Sequence, residues 1–242
     1  MRTNYLILFC LALGLKSIYA QRPFGVSPLV ILRAPNVSIQ DDGGLFIADQ
    51  FLQRLTYGIG AEFGLSKRLA IRLGVQQVFF VSDVNYWFPG QGNFFFSKSQ
   101  PITGIQIPVA LDFHLIHDHS SSRWRLGFTG GTSLQLIEKT KGAGFGDVLS
   151  FDRSIQITDT YAYNSVERTF ATLDAGFFVK YRLGRHVWAT YSLIWLHSLA
   201  NAVVENNVRY SVASAVVTTN HEARTVADGS ARHHGFGLQY RF

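Results

Sequence analysis

From Leu55 to Leu65 every odd residue is apolar (Leu55, Tyr57, Ile59, Ala61, Phe63, Leu65), and Thr56, Gly58, Gly60, Glu62 and Gly64 fill the positions between. A period of two sends alternate side chains to opposite faces of an extended strand, so this stretch predicts a two-faced strand and argues against a helix. Ser66-Lys67-Arg68 then makes a tight polar turn. Leu69, Ile71, Leu73 and Val75 resume the apolar face, opposed by Ala70, Arg72, Gly74 and Gln76. The unit is a β-hairpin.

The pattern recurs along the chain. Ile105, Ile107, Val109, Leu111, Phe113 and Leu115 alternate with Gln106, Pro108, Ala110, Asp112 and His114. After a polar turn from His117 to Ser122, Trp124, Leu126, Phe128, Leu134 and Leu136 oppose Arg125, Gly127, Thr129, Gly131, Ser133 and Gln135. A third hairpin runs through Ala171, Leu173, Ala175, Phe177, Val179, Tyr181 and Leu183. It turns at Gly184-Arg185 and returns through Val187, Ala189, Tyr191, Leu193 and Trp195, with Ile194 and Leu196 blurring the alternation. The chain ends in a further alternating segment, Arg232 to Phe242, with Phe236, Leu238, Tyr240 and Phe242 on one face. His233, Gly235, Gly237, Gln239 and Arg241 lie on the other.

Long polar segments (Ser82–Pro101, Lys139–Glu167, Asn201–Ala231) separate the hairpins, so connections are short at one end and long at the other. That asymmetry belongs to outer-membrane barrels, with turns in the periplasm and loops outside. The strand at Leu55 runs toward a short turn, so another strand must precede it. The segment from Val26 to Gln40 is the candidate, with Asp41–Gln53 as the first loop, which brings the count to eight. Pro28 and Pro35 make this the least regular strand, because proline withholds a ladder hydrogen bond.

The closing strand, greasy on one side and ending in Phe242, resembles the last strand of the small outer-membrane β-barrel proteins of Gram-negative bacteria, the OmpX-like and OmpA-like barrels. The resemblance covers most of the chain as pattern and carries no motif that singles out one member. It implies an eight-stranded antiparallel transmembrane β-barrel in the outer membrane, in contact with lipid and lipopolysaccharide. It also implies that the barrel assembly machinery reads the C-terminal strand.

Export and composition agree with that expectation. Met1-Arg2 is a positive start and Tyr5–Leu15 an apolar run too short to span a bilayer. Ser17-Ile18-Tyr19-Ala20 offers a cleavage site before Gln21. Residues 1–20 are read as a signal peptide and 21–242 as the barrel, although an N-terminal anchor helix is the competing reading. Cleavage would remove Cys10, the single cysteine, and with it thiol or Cys-based zinc chemistry. It would also remove Arg2 and Lys16, lowering the formal charge from +6 to +4. No basic patch with interleaved aromatics remains, so nucleic acid is not expected as a partner. Charged residues are 16% of the chain against roughly a quarter in soluble domains. No later stretch reaches the ~18 apolar residues of a membrane helix.

A soluble lipocalin-like carrier would alternate too, with the apolar face inward. The polar face decides between them. It carries glycines, small hydroxyls and isolated charges of both signs: Glu62, Arg72, Asp112, Arg125, Asp174, Lys180, Arg182 and Arg241. A narrow interior suits that mixture, and the three carboxylates are expected to be bonded to the arginines and Lys180 as a polar lumen network. A proton or substrate relay is the alternative role. Trp124, Tyr181, Trp188, Tyr240 and Phe242 near the turns, and Phe79, Phe170 and Trp195 near the loops, are expected to form two lipid-facing aromatic bands.

Eight strands leave an interior that side chains fill, which disfavours a pore. A lipid A deacylase-like enzyme is the runner-up function. Its His-x-Ser pattern occurs only as His119-Ser120-Ser121, in a hydrophilic turn with no acidic partner, and His197-Ser198 point to opposite faces. His117-x-His119 and His233-His234 lack further ligands at metal spacing, so no cofactor or metal is expected. The favoured role is non-enzymatic: structural, adhesive, or accessory to an envelope complex through the loops. Tyr86, Trp87, Phe88, Phe94, Phe95 and Phe96 form a possible contact surface for glycan, lipopolysaccharide or protein, or else a cap folded onto the rim. Val208–Thr219 could extend strands above the membrane and offer an edge to a partner.

Overall fold

The structure is a computed structural model that describes residues 24–48, 54–80, 84–87, 94–96, 102–116, 122–149, 155–214 and 216–242. The segment read as a signal peptide, Phe88, His117 and His119-Ser120-Ser121 lie outside them. The described elements are all strands: β1 (Phe24–Asp41), β2 (Phe46–Ala48), β3 (Arg54–Gly64), β4 (Leu69–Phe80), β5 (Val84–Trp87), β6 (Phe94–Phe96), β7 (Ile102–His114), β8 (Trp124–Ile137), β9 (Lys141–Leu149), β10 (Ile155–Ser165), β11 (Thr169–Arg182), β12 (Val187–Ser198), β13 (Val204–Ser214) and β14 (Thr218–Arg241).

Eight of them close a barrel in the order β1-β3-β4-β7-β8-β11-β12-β14, with every described pairing antiparallel and β14 returning to β1. Closure leaves the barrel wall no free edge. The proline-bearing first strand does close it: Gly25 lies opposite Arg241, and Pro35 opposite Ala231. The register then shifts, and Val37 lies opposite Ala227. Gly229 sits in the resulting bulge at φ 89, a left-handed backbone suited to glycine. A side chain there would also meet the Phe170 ring at 2.6 Å.

The apolar face points outward. Leu73 is 40% exposed, Leu111 50% and Phe177 37%, while Asp112 is 1% exposed in the interior. A folded chain that shows this much leucine, isoleucine and phenylalanine around its girth has an exterior matched to hydrocarbon rather than water. Two expectations about the aromatic bands fail. Trp188 and Phe170 are 2% and 6% exposed and lie inside the barrel. Each sits in register with lumen-facing residues of its strand, and alternation outranks the preference of an aromatic for the interface.

Two of the polar segments between hairpins, Lys139–Glu167 and Asn201–Ala231, carry long strands among their described residues. β9 and β10 occupy most of Lys139–Glu167, and the last strand begins at Thr218 rather than Arg232. Beyond the barrel mouth β14 pairs with β13, β13 with β10, and β10 with β9. The wall therefore continues as a five-stranded arm, β1-β14-β13-β10-β9, on one side only. A separate small sheet, β2-β5-β6, joins the first two loops.

Candidate functional site

The lumen near the short turns is built from the polar faces of the hairpins. Glu62 on β3 accepts from Lys180 on β11 and from Arg241 on β14, the latter at 2.7 Å. Arg72 on β4 pairs with Asp112 on β7 at 3.4 Å and donates to Thr129 Oγ1 at 2.8 Å. Trp188 lies among three guanidinium groups, with Arg125 at 4.4 Å from its ring centroid, Arg241 at 5.5 Å and Arg182 at 5.8 Å. A cation over a desolvated indole gains up to about 2 kcal/mol. Indole and carboxylates together hold the cations in a space that lipid surrounds.

The eight charged residues expected in the lumen thus all face inward. Seven gather at the turn end, and Asp174 stands apart. Its carboxylate accepts from Ser133 Oγ and, at 2.6 Å, from Thr172 Oγ1, so hydroxyls replace the expected cation. On neighbouring strands Asp174 is in register with Gly131 and Leu196, one strand level above the ion pairs. Two small cavities of about 50 and 40 Å³ lie along this middle section, lined by Leu29, Ile31, Arg72, Ala110, Asp174 and Ile194 among others. A water needs about 10–15 Å³ and a drug-sized ligand a pocket of about 300–1,000 Å³, so these two cavities admit water and are too small for such a ligand.

Arg33 on β1 is a lumen residue that sequence reasoning missed. It is fully buried and donates to Gln106 Oε1 at 3.3 Å and to the Gly229 carbonyl at 3.2 Å, and meets His233 Nε2 at 3.3 Å. Its guanidinium lies 4.7 Å from the Phe80 ring centroid. Both faces of β1 are apolar around it (Val30 and Leu32 outward, Leu29 and Ile31 inward), so alternation held no signal for which side it would take. Above Arg33, Val37, Val78, Phe80, Ile102, Ile137, Phe170, Val203 and Val204 close the mouth as an apolar cluster.

The arm carries its own packing on the face continuous with the lumen. Phe46, Ile157, Val208, Tyr210 and Ala223 form a second apolar cluster. The Tyr210 hydroxyl donates to Asp41 Oδ1 at 2.7 Å, and burial beside that carboxylate pushes the phenol well above its usual range. Asp159 is 4% exposed, and burial raises its carboxyl to about 6. The segment Val208–Thr219 does extend strands above the barrel, but β13 is covered by β10 and β14, so among the described residues the free edge belongs to β9. Of the loop aromatics, Tyr86 and Trp87 lie on β5 and Phe94, Phe95 and Phe96 on β6, where Tyr86 is opposite Phe95.

The described histidines weighed for a lipid-modifying or metal site do not come together. His197 is exposed on the outer face while Ser198 is buried on the inner one. His233 is a lumen ligand of Arg33, and His234 points outward to the Tyr191 hydroxyl at 3.1 Å. No group of three His, Cys, Asp or Glu side chains converges to hold a metal among these residues.

No protein-family model and no curated protein matches the sequence. Solved structures do match the fold. The outer membrane protein OprG from Pseudomonas aeruginosa aligns over 91% of this chain and 96% of its own, with a TM-score of 0.51 and 13% identity. The N-terminal β-barrel domain of OprF from the same organism aligns over 92% and 100%, with a TM-score of 0.44 and 11% identity. At such identities the likeness to OprG is a likeness of fold, and the fold is that of an outer-membrane β-barrel.

Proposed function

We infer that this chain, an eight-stranded barrel of outer-membrane type, works as a non-enzymatic integral protein of the cell outer membrane whose barrel is an anchor and whose arm is the working surface. The role is structural, adhesive or accessory to an envelope complex. One observation carries the reading: among the described residues ion pairs occupy the turn end of the lumen, and an Arg33 cluster and an apolar plug its mouth, with small cavities between them, while five strands of wall continue past the mouth. A sealed interior suits neither conduction nor ligand transport. An ordered sheet outside the membrane suits contact. Lipid and lipopolysaccharide surround the exterior, and the assembly machinery would take the β14 terminus.

The test is replacement of residues 139–166 by a short turn. The barrel should still show a heat-modifiable shift on mild detergent gels, while attachment of cells to surfaces or to each other, or recovery of envelope partners, should fall. Steady ion conductance of the intact protein in planar bilayers, or unchanged attachment without the arm, would overturn the reading. An altered acylation pattern of lipid A in a deletion strain would replace it with the lipid-modifying alternative.

A further inference from the structure

Among the described residues β9 is the terminal strand of the arm, and its free edge has a self-complementary sequence. The Ser165 N–H donates to the Thr140 carbonyl at 2.9 Å, and Thr140 N–H donates to Ser165 Oγ at 3.0 Å. Backbone groups of successive strand residues point to alternate sides. Even-numbered residues of β9 therefore bond toward β10, and Lys141, Ala143, Phe145 and Asp147 present their N–H and C=O groups at the open edge. The side chains of these four are exposed, Phe145 by 82%. On the opposite face are Gly142 and Gly144. Tyr163 and Tyr161 cover them so closely that a Cβ would lie 2.4 Å from either hydroxyl oxygen. The edge is thus held flat from behind by two aromatic rings and stays open in front.

We propose that β9 pairs antiparallel with β9 of a second copy of this chain, centred on Gly144. In that register Lys141 lies opposite the partner's Asp147, and Ala143 opposite the partner's Phe145. Each pairing occurs twice about the two-fold axis. The odd positions from Lys141 to Asp147 then meet as hydrogen-bonded pairs, which uses the open donors and acceptors of these four residues. Opposite charges meet directly and each phenylalanine covers an alanine, the cross-strand arrangement that stabilises a sheet. Shifting the centre to Phe145 would keep the hydrogen bonds but set Asp147 against Ala143 and lose both charge pairs.

Strand direction fixes where the second copy sits. β9 follows β8 out of the barrel mouth and β10 returns to β11, so β9 runs away from the membrane. A two-fold axis normal to the sheet inverts the partner, whose barrel then lies at the far end of the paired strands. Two copies so joined belong to two facing membranes. The contact is homotypic and bridges membranes across a gap on the order of the length of one nine-residue strand, about 30 Å.

This inference rests on the arm being a contact surface and names its partner. Full-length protein reconstituted into phosphatidylcholine vesicles should cluster them, read by light scattering. Lys141→Asp and Asp147→Lys should each cut clustering about tenfold, because each sets like charges opposite one another. Mixing vesicles of the two variants should restore it, as should the double variant K141D/D147K. Heat-modifiable migration of every variant checks that the barrels are folded. Folded single variants that cluster like the parent, or mixtures no better than either variant alone, would overturn the proposal. Should the parent fail to cluster vesicles while loss of residues 139–166 still lowers attachment, self-pairing falls and the arm keeps a different partner.

Discussion

Below the bulge at Gly229 the wall is closed and stands in lipid; above it the wall is open and stands in water. The two regions treat charge in opposite ways. In the barrel Glu62 is 4% exposed and meets two cations. In the arm the Arg209–Glu222 pair, at 3.0 Å, leaves its side chains 80% and 72% exposed. The first carboxylate has no solvent to fall back on, so its partners decide whether the barrel is stable. The second is solvated with or without its arginine.

The largest effect should therefore follow Glu62→Ala, which takes from Lys180 and Arg241 the carboxylate that they share. A loss of about 3–5 kcal/mol is expected in urea unfolding from detergent or lipid. Adding Lys180→Ala should recover part of it, and a cycle showing no coupling would break the contrast between the regions. Phe80→Ala comes next. The ring packs edge-on to Phe170 at 5.8 Å and against the Arg33 guanidinium, so truncation should cost about 3–4 kcal/mol and admit water to the mouth. A cost below about 1 kcal/mol would mean that the apolar cluster does not seal the lumen.

Gly229→Ala tests the boundary itself. Strain at positive φ and the clash with Phe170 should together cost about 1–3 kcal/mol. Hydrogen exchange should rise first where β14 passes from β12 to β13.

Asp159 probes the arm through pH. Its carboxyl is raised to about 6 by burial, so the folded arm holds a proton that the unfolded chain has already released. Arm stability should fall as pH rises through the window from about 4 to about 6 and stay flat above it. Asp159→Asn should remove that slope and stabilise β9–β10 by about 1–3 kcal/mol at neutral pH, read by amide exchange. A slope of the opposite sign would sink the assignment. The smallest effect is reserved for Glu222→Gln, which should change arm stability by less than about 0.5 kcal/mol, and by less still in high salt.

The barrel was legible in the sequence because a half-buried strand writes its two faces as a period of two. Three hairpins, the inward charges and the outward leucines all follow from that one rule. Legibility fails where both faces of a strand are apolar. Nothing local sets Arg33 inward on β1, and its ligands Gln106, His233 and the Gly229 carbonyl come from strands far away in the chain. It fails again at Trp188 and Phe170, whose chemistry suggested the membrane interface while their register placed them in the lumen.

The arm marks the same limit from another side. Segments rich in polar residues and glycine read as loops, because water satisfies their backbone as readily as a neighbouring strand does. Only the assembled sheet shows that β10, β13 and β14 satisfy one another and that, among the described residues, β9 is left with an open edge. Alternation of side chains, a property of consecutive residues, determined the barrel and which of its faces meets lipid. Pairing across the chain decided what seals the lumen, which carboxylate lacks a cation and where the wall ends, since hydrogen bonds between strands join residues that the linear order keeps apart.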